Sequence, residues 1–166
     1  MLYYSTRHNT PKASLREAVI RGLAPDRGLY MPETVPPLPE RFFRTMQGMS
    51  LPEIARTVAA AFFKEDIPKE ELDTIVADTL NFDIPLKEVE EGIHVLELFH
   101  GPTFAFKDVG ARFMARMLSF FVRERRQDDV TVLVATSGDT GSAVANGFLG
   151  VCQRSEERRV GKECRS

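Results

Sequence analysis

Two short stretches of the chain hold residue types that can do chemistry. The first is HGPTFAFKDVGARF, residues 100–113, where Lys107 stands among Phe104, Ala105, Phe106 and Val109 just before a helical pattern. An apolar setting and the positive end of a helix both disfavour an ammonium ion, and a neutral amine is what imine formation requires. The plainer alternative is a lysine that snorkels to water while the phenylalanines fill the core. The second stretch is ATSGDTGSA, residues 135–143, whose two glycines and four hydroxyl residues leave backbone amides open where a helix begins. Such a loop suits a carboxylate or a phosphate. N-capping by Ser137, Asp139 or Thr140 explains the same residues without a ligand. Neither GxxxxGK[ST] nor GxGxxG occurs. His8, His94 and His100 are scattered, only His100 adjoins a candidate loop, and spacing alone assigns no Ser-His-Asp set.

Both loops need elements to hold them. Ile93 to Phe99 reads as a strand, and the loop with Lys107 leads into a helical pattern through Phe113, Met117, Phe120 and Phe121. VTVLVA, residues 130–135, is a nearly continuous apolar run suited to a strand buried on both faces, and SAVANGFLG then reads as a helix. Strand, loop and helix, twice in succession, predict an α/β fold built on a parallel sheet. In such sheets ligands sit beyond the C-terminal strand ends, where these two loops lie.

The first half predicts helices with turns between. Ser14 caps a short helix with Leu15, Ala18 and Val19 on one face. Ser50 and Glu53 form a capping box for LPEIARTVAAAFFK, with Leu51, Ile54, Val58 and Phe62 aligned, and Pro68 opens a further helix. Pro25 to Pro39 carries five prolines and predicts a loop. The aromatic clusters at 42–43 and 59–63 predict core.

Bulk composition bounds the function. The 166 residues are 43% hydrophobic and 28% charged with a formal net charge of -2, a soluble globular profile that argues for neither nucleic acid nor an anionic membrane as partner. Cys152 and Cys164 form no ligand pattern, so neither a metal site nor a disulfide framework is expected, and the expected compartment is the cytoplasm. No run approaches the ~20 apolar residues of a membrane span. Gln153 to Ser166 holds five basic and three acidic side chains around one large apolar residue, Val160. It breaks the helix before it and reads as a foreign tail, with a natural basic extension as the rival.

LELFHGPTFAFKDVGARFMARML, from Leu96 to Leu118, closely resembles the cofactor-lysine segment of threonine synthases, and LVATSGDTGSAVA, about thirty residues on, resembles the loop that grips their substrate. YYSTR at 3–7, GLAP at 22–25 and LYMPETVP at 29–36 fit the same family, and the likeness covers roughly residues 1 to 151. Arg27 departs from it, because the family usually has glycine or another small turn residue there. The resemblance implies a helical N-terminal region over 1–92, then over 93–152 the start of a tryptophan-synthase-β-like domain (fold type II of pyridoxal-phosphate enzymes). It implies that Lys107 holds pyridoxal 5'-phosphate through its amine and later carries protons, and that Asp139 sits beside the cofactor. Thr136, Ser137, Gly138, Asp139 and Thr140 would hold the substrate, O-phospho-L-homoserine, which with water yields L-threonine and phosphate. Family members run far beyond this length, and their later glycine-rich loop for the cofactor phosphate has no counterpart here. The chain as given is therefore expected to form no threonine. A dehydratase or cysteine synthase of the same cofactor class, or a non-catalytic fragment, are the alternatives.

Overall fold

The computed structural model describes residues 1–123, 131–136 and 138–151. Its strands are β1 (Leu2–Ser5), β2 (Ala13–Ser14), β3 (Tyr30–Pro32), β4 (Leu86–Glu90) and β5 (Ile93–Leu96). Its helices are α1 (Leu15–Arg21), α2 (Glu40–Thr45), α3 (Leu51–Phe63), α4 (Lys69–Thr79), α5 (Lys107–Arg123) and α6 (Asp139–Phe148), with a 3₁₀ turn at Met46–Gly48.

The helix starts follow their caps. Ser14 and Glu17 exchange hydrogen bonds at the head of α1, and the Glu53 carboxylate accepts from both the amide and the hydroxyl of Ser50 at the head of α3. Pro68 precedes α4, whose first turn carries Glu70 and Glu71. On α3 the inward stripe differs from the expected one. Ala59 is buried, and Ala55, Ala60 and Phe63 pack on the core, while Leu51 is exposed. Small alanines let α3 lie close against α4, which bulkier side chains at those positions would prevent. In the first aromatic cluster Phe42 is buried and Phe43 points outward.

The first half is not purely helical. β1 pairs antiparallel with β2 on one side and with β3 on the other, Tyr3 facing Ala13 and Pro32. Thus YYSTR and LYMPETVP are neighbouring strands, and β3 lies inside the stretch expected to be a loop. Pro32 is tolerated because β3 is an edge strand, where the missing N–H breaks no ladder bond. Between them the chain turns at Ala24–Gly28, with the Arg27 amide donating to the Ala24 carbonyl at 2.8 Å. Arg27 adopts a φ of 66°, a left-handed conformation that an L side chain adopts only under strain. Its departure from glycine is thereby explained as a local cost.

One core joins these pieces. Tyr3, Leu15, Ala18, Ile67, Leu72, Ile75, Val76, Met117, Phe120 and Phe121 form it, so β1, α1 and α4 all close on the C-terminal half of α5. Arg112 fixes the other half. This guanidinium is buried and donates to the carbonyls of Thr79 (3.3 Å) and Asp78 (2.5 Å) and to Asn81 Oδ1 (2.8 Å), which satisfies the C-terminal end of α4. α6 lies along α5, and a Cβ at Gly147 would come within 3.0 Å of the Ala111 carbonyl.

The second half is less regular than expected. β5 starts at Ile93 as expected but pairs antiparallel with β4, and its residues are exposed. Residues 131–136 form no strand and are exposed, with Leu133 at 90%. An extended segment becomes a strand only with a hydrogen-bonding neighbour, and none pairs with 131–136 among the described residues. The described strands pair only antiparallel. Val130 and the tail 153–166 lie outside the described residues. Among those described, no helix is long and apolar enough to cross a membrane, and no cluster of potential ligands could hold a metal ion.

Two substitutions test these contacts. Arg112→Ala strands three acceptors at the end of α4 and should lower stability by about 2–3 kcal/mol, read from denaturant unfolding, with Arg112→Lys recovering little of it. Arg27→Gly should raise stability by about 0.5–1 kcal/mol, the relieved left-handed strain less the added chain entropy.

Candidate active site

Lys107 is the first residue of α5, and Asp139 is the first residue of α6. Because the two helices pack side by side, their N-termini lie together, and the Lys107 Nζ donates to Asp139 Oδ1 at 2.9 Å. The two candidate loops, 32 residues apart in sequence, therefore meet through the side chains singled out in each.

The surroundings of Lys107 differ from the expected apolar setting. Phe104 and Phe106 turn to solvent, 80% and 60% exposed, and only Ala105 of that trio is buried. The lysine side chain is about one-third exposed. Its amine stands 5.5 Å from the centre of the Phe106 ring and donates to the Asp139 carboxylate. The lysine hydrogen bond in turn holds the Asp139 carboxyl below the usual carboxylate range, opposed by slight desolvation.

The loop leading to Lys107 is wound on Asp108. That carboxylate is fully buried and accepts from the Thr103 amide at 2.9 Å and the Thr103 hydroxyl at 2.6 Å. His100 does not join the lysine. Its Nε2 meets Glu97 Oε2 at 2.7 Å, its ring stacks on Phe99, and it lines a separate cleft with Asn81, Phe82, Asp83, Lys87 and Glu97.

Of the expected substrate loop, Thr136, Gly138, Asp139 and Thr140 are described, and Ser137 lies outside the described residues. α6 starts three residues earlier than its sequence suggested, so Asp139, Thr140 and Gly141 belong to its first turn, where amides have no intrahelical acceptors. Gly138 has a φ of 94°, a conformation that L side chains rarely adopt, and a Cβ there would meet nothing within 4 Å among the described residues. Thr136 lies alongside, its methyl 3.2 Å from where a Gly141 Cβ would sit. An amine, a carboxylate and the first-turn amides of α6 thus lie together, the Asp139 carboxylate accepting from the Asp139 and Thr140 amides as well as from Lys107. These groups fit pyridoxal phosphate, which needs an accessible amine, and an anionic substrate, which needs amide donors. Sequence reasoning missed the roles of Thr103 and Gly101 in setting the loop. A buried acid directly after the lysine was the available signal.

The ion pair has a measurable signature. A carboxyl depressed by its partner keeps the contact above the ordinary carboxylate value and loses it as pH falls through the depressed one. In Lys107→Ala the Asp139 carboxyl should titrate higher, back toward its ordinary position, in carbon-detected NMR, whereas an unchanged midpoint would mean the pair does not form in solution.

Known proteins resemble the chain along most of its length. The family model "Threonine synthase N terminus" matches residues 2–80. Threonine synthase of Haemophilus influenzae is 40% identical over 151 residues, covering 91% of this chain and 34% of that protein. The crystal structure of Escherichia coli threonine synthase superimposes with a TM-score of 0.82 at 38% identity, over 91% of this chain and 35% of that one. A threonine synthase of Brucella melitensis, solved with pyridoxal phosphate bound, gives 0.83 at 37% identity over 89% and 33%. The chain spans about a third of the length of the relatives it matches. At these identities the mixed helix-and-strand fold is that of the N-terminal portion of threonine synthases, which the chain matches in sequence and in structure over about nine-tenths of its length.

Proposed function

We propose that this chain carries the lysine and the substrate loop of an enzyme that converts O-phospho-L-homoserine and water to L-threonine and phosphate. In class it is a carbon–oxygen lyase of threonine biosynthesis that acts on a phosphate ester. The observation that supports this most is the 2.9 Å contact between Lys107 and Asp139, which joins the two loops at the paired ends of α5 and α6. Within the 166 residues we divide the chain into a helical region, 1–92, and the start of the catalytic domain, 93–152. The proposed compartment is the cytoplasm, where Cys152 and Cys164 stay reduced.

The residues take the following roles. Lys107 holds pyridoxal 5'-phosphate covalently through Nζ, with Asp139 beside it. When bound, the cofactor supplies an electron sink for charge left on substrate carbon. The amides of Gly138, Asp139 and Thr140, with the hydroxyls of Thr136, Ser137 and Thr140, meet the substrate carboxylate, as a helix N-terminus meets any anion. With its amine free, Lys107 would remove protons at Cα and Cβ and return protons at Cγ and Cα, within reach because α5 holds its backbone fixed. Phosphate departs from Cγ of the substrate, and water adds at Cβ.

The test is borohydride fixation. Purified chain mixed with pyridoxal phosphate and reduced should carry the label on the peptide containing Lys107, and Lys107→Ala should remove it. In a full-length protein bearing this segment, Lys107→Ala and Lys107→Arg should each lower turnover by about a thousandfold or more, roughly 4 kcal/mol of barrier. Arginine fails because its guanidinium stays protonated. Ordinary turnover in either variant would remove Lys107 from this role.

A further inference from the structure

Lys107 and Asp108 are adjacent but face opposite ways: Lys107 reaches outward to Asp139, and Asp108 turns fully inward. Nothing in the mechanism above uses that buried acid. Its carboxylate draws the preceding loop back onto the head of α5 through two hydrogen bonds from one residue, the amide and hydroxyl of Thr103. Hydrogen bonds to a charged acceptor are the strong ones, and burial removes the competing water. Two tight turns close around the same point, Phe104 N donating to Gly101 O at 3.1 Å and Asp108 N to Ala105 O at 3.0 Å.

The loop lies unusually close to the acid. A Cβ on Gly101 would stand 2.5 Å from Asp108 Oδ2, so the backbone passes at a distance no side chain permits. Phe104 is held at a φ of 56° with its ring 80% exposed. A left-handed aromatic residue without burial has nothing of its own to hold it there, so its neighbours impose the conformation. The Asp108 bonds on either side supply that hold.

The geometry points to Asp108 as the positioning residue of the lysine loop: by winding Gly101–Ala105 around its buried carboxylate, it fixes where α5 begins and so aims Lys107 at Asp139 and the open end of α6. Its bearing on catalysis rests on the role proposed for Lys107, but the contact it governs is measurable without cofactor.

The experiment is competitive acetylation of the 166-residue chain by acetic anhydride near pH 8, each lysine's rate being read by mass spectrometry. Lys69, paired with Asp73 within α4, is the internal reference. The Lys107–Asp139 pair shields the amine from acylation. Asp108→Asn should therefore raise the Lys107:Lys69 rate ratio about threefold, the factor a part-exposed ion pair carries. Gly101→Ala, which displaces the carboxylate from the other side, should do the same, and so should Asp139→Asn. Asp108→Asn added to Asp139→Asn should change nothing further, since the pair is already lost. Thr103→Ser keeps both donors and should keep the wild-type ratio. A merely structural acid would lower the melting temperature and leave the ratio unchanged, and that result overturns the proposal, as does a further rise in the double variant. Should Asp108→Asn not fold, as judged by circular dichroism, Gly101→Ala and Thr103→Val decide by the same ratio. Borohydride fixation at Lys107 is a separate measurement, so either conclusion can fail without the other.

Discussion

Midway along α5, the Arg112 guanidinium reaches the last carbonyls of α4, and the placement of nearly everything else follows from that grip. A helix end leaves carbonyls without intrahelical donors, and burying them unpaired is costly. Arg112 meets the carbonyls of Thr79 and Asp78 together with the amide oxygen of Asn81, while its guanidinium stands 5.9 Å from the Phe82 ring centre. A planar fork of donors suits three convergent acceptors in a way a single ammonium does not. At the far end of α5, Arg16 of α1 donates to the Phe121 carbonyl at 2.9 Å. A helix tied at its middle and at its C-terminus has little freedom left at its N-terminus, and there Lys107 stands. The core of Met117, Phe120 and Phe121 secures the same helix against β1, α1 and α4. The chemistry-bearing end is thus positioned by contacts one to four turns away from it.

Local signals were legible in the sequence where they concern single helices. Ser14, Ser50 and Pro68 each mark a helix start, because caps act through bonds within one turn. The stripe of α5 was likewise readable, since its apolar residues recur at helical spacing. What escaped are features decided by partners distant in sequence. β1 has a short run of mixed character, and only pairing with β3 some twenty-five residues later makes either a strand. The inward face of α3 was misjudged because hydrophobic size favours Leu51 and Ile54, whereas close approach to α4 favours Ala55 and Ala59. The run 130–135 has the composition of a buried strand, yet its described residues lie exposed, because composition cannot supply the neighbouring strand.

The candidate site divides the same way. Lys107 and the 136–140 stretch stood out by residue type, and the paired helix ends bring them together. The character of the lysine did not follow from its neighbours in sequence. Phe104 and Phe106 suggested a desolvated amine, but successive residues in this loop face opposite ways, so Ala105 turns inward and both rings point to water. The amine finds a carboxylate instead. An ion pair at this exposure is a weak contact, easily exchanged for another partner. That suits a lysine whose proposed task is to leave Asp139 for a carbonyl and later to carry protons. A deeply buried pair would resist the exchange, because separating it leaves an uncompensated charge.

The two halves of the chain differ in what holds them, and the site sits at their junction. Residues up to about 80 close a core with α5, whereas β4, β5 and 131–136 expose Leu86, Val89, Ile93, Val95, Leu96 and Leu133. An apolar edge of this kind gains nothing from water and invites pairing with other chains. The lysine loop lies between these regimes, following β5 and preceding α5. It therefore cannot draw rigidity from the hairpin before it. Its order must come from its own hydrogen bonds and from the helix after it. Asp108 supplies the first through Thr103, and Arg112, one turn further along α5, supplies the second. A buried acid and a buried base four residues apart thus face two different clients, one the loop and the other α4. Lys107, next to the first of them, is carried into place by both.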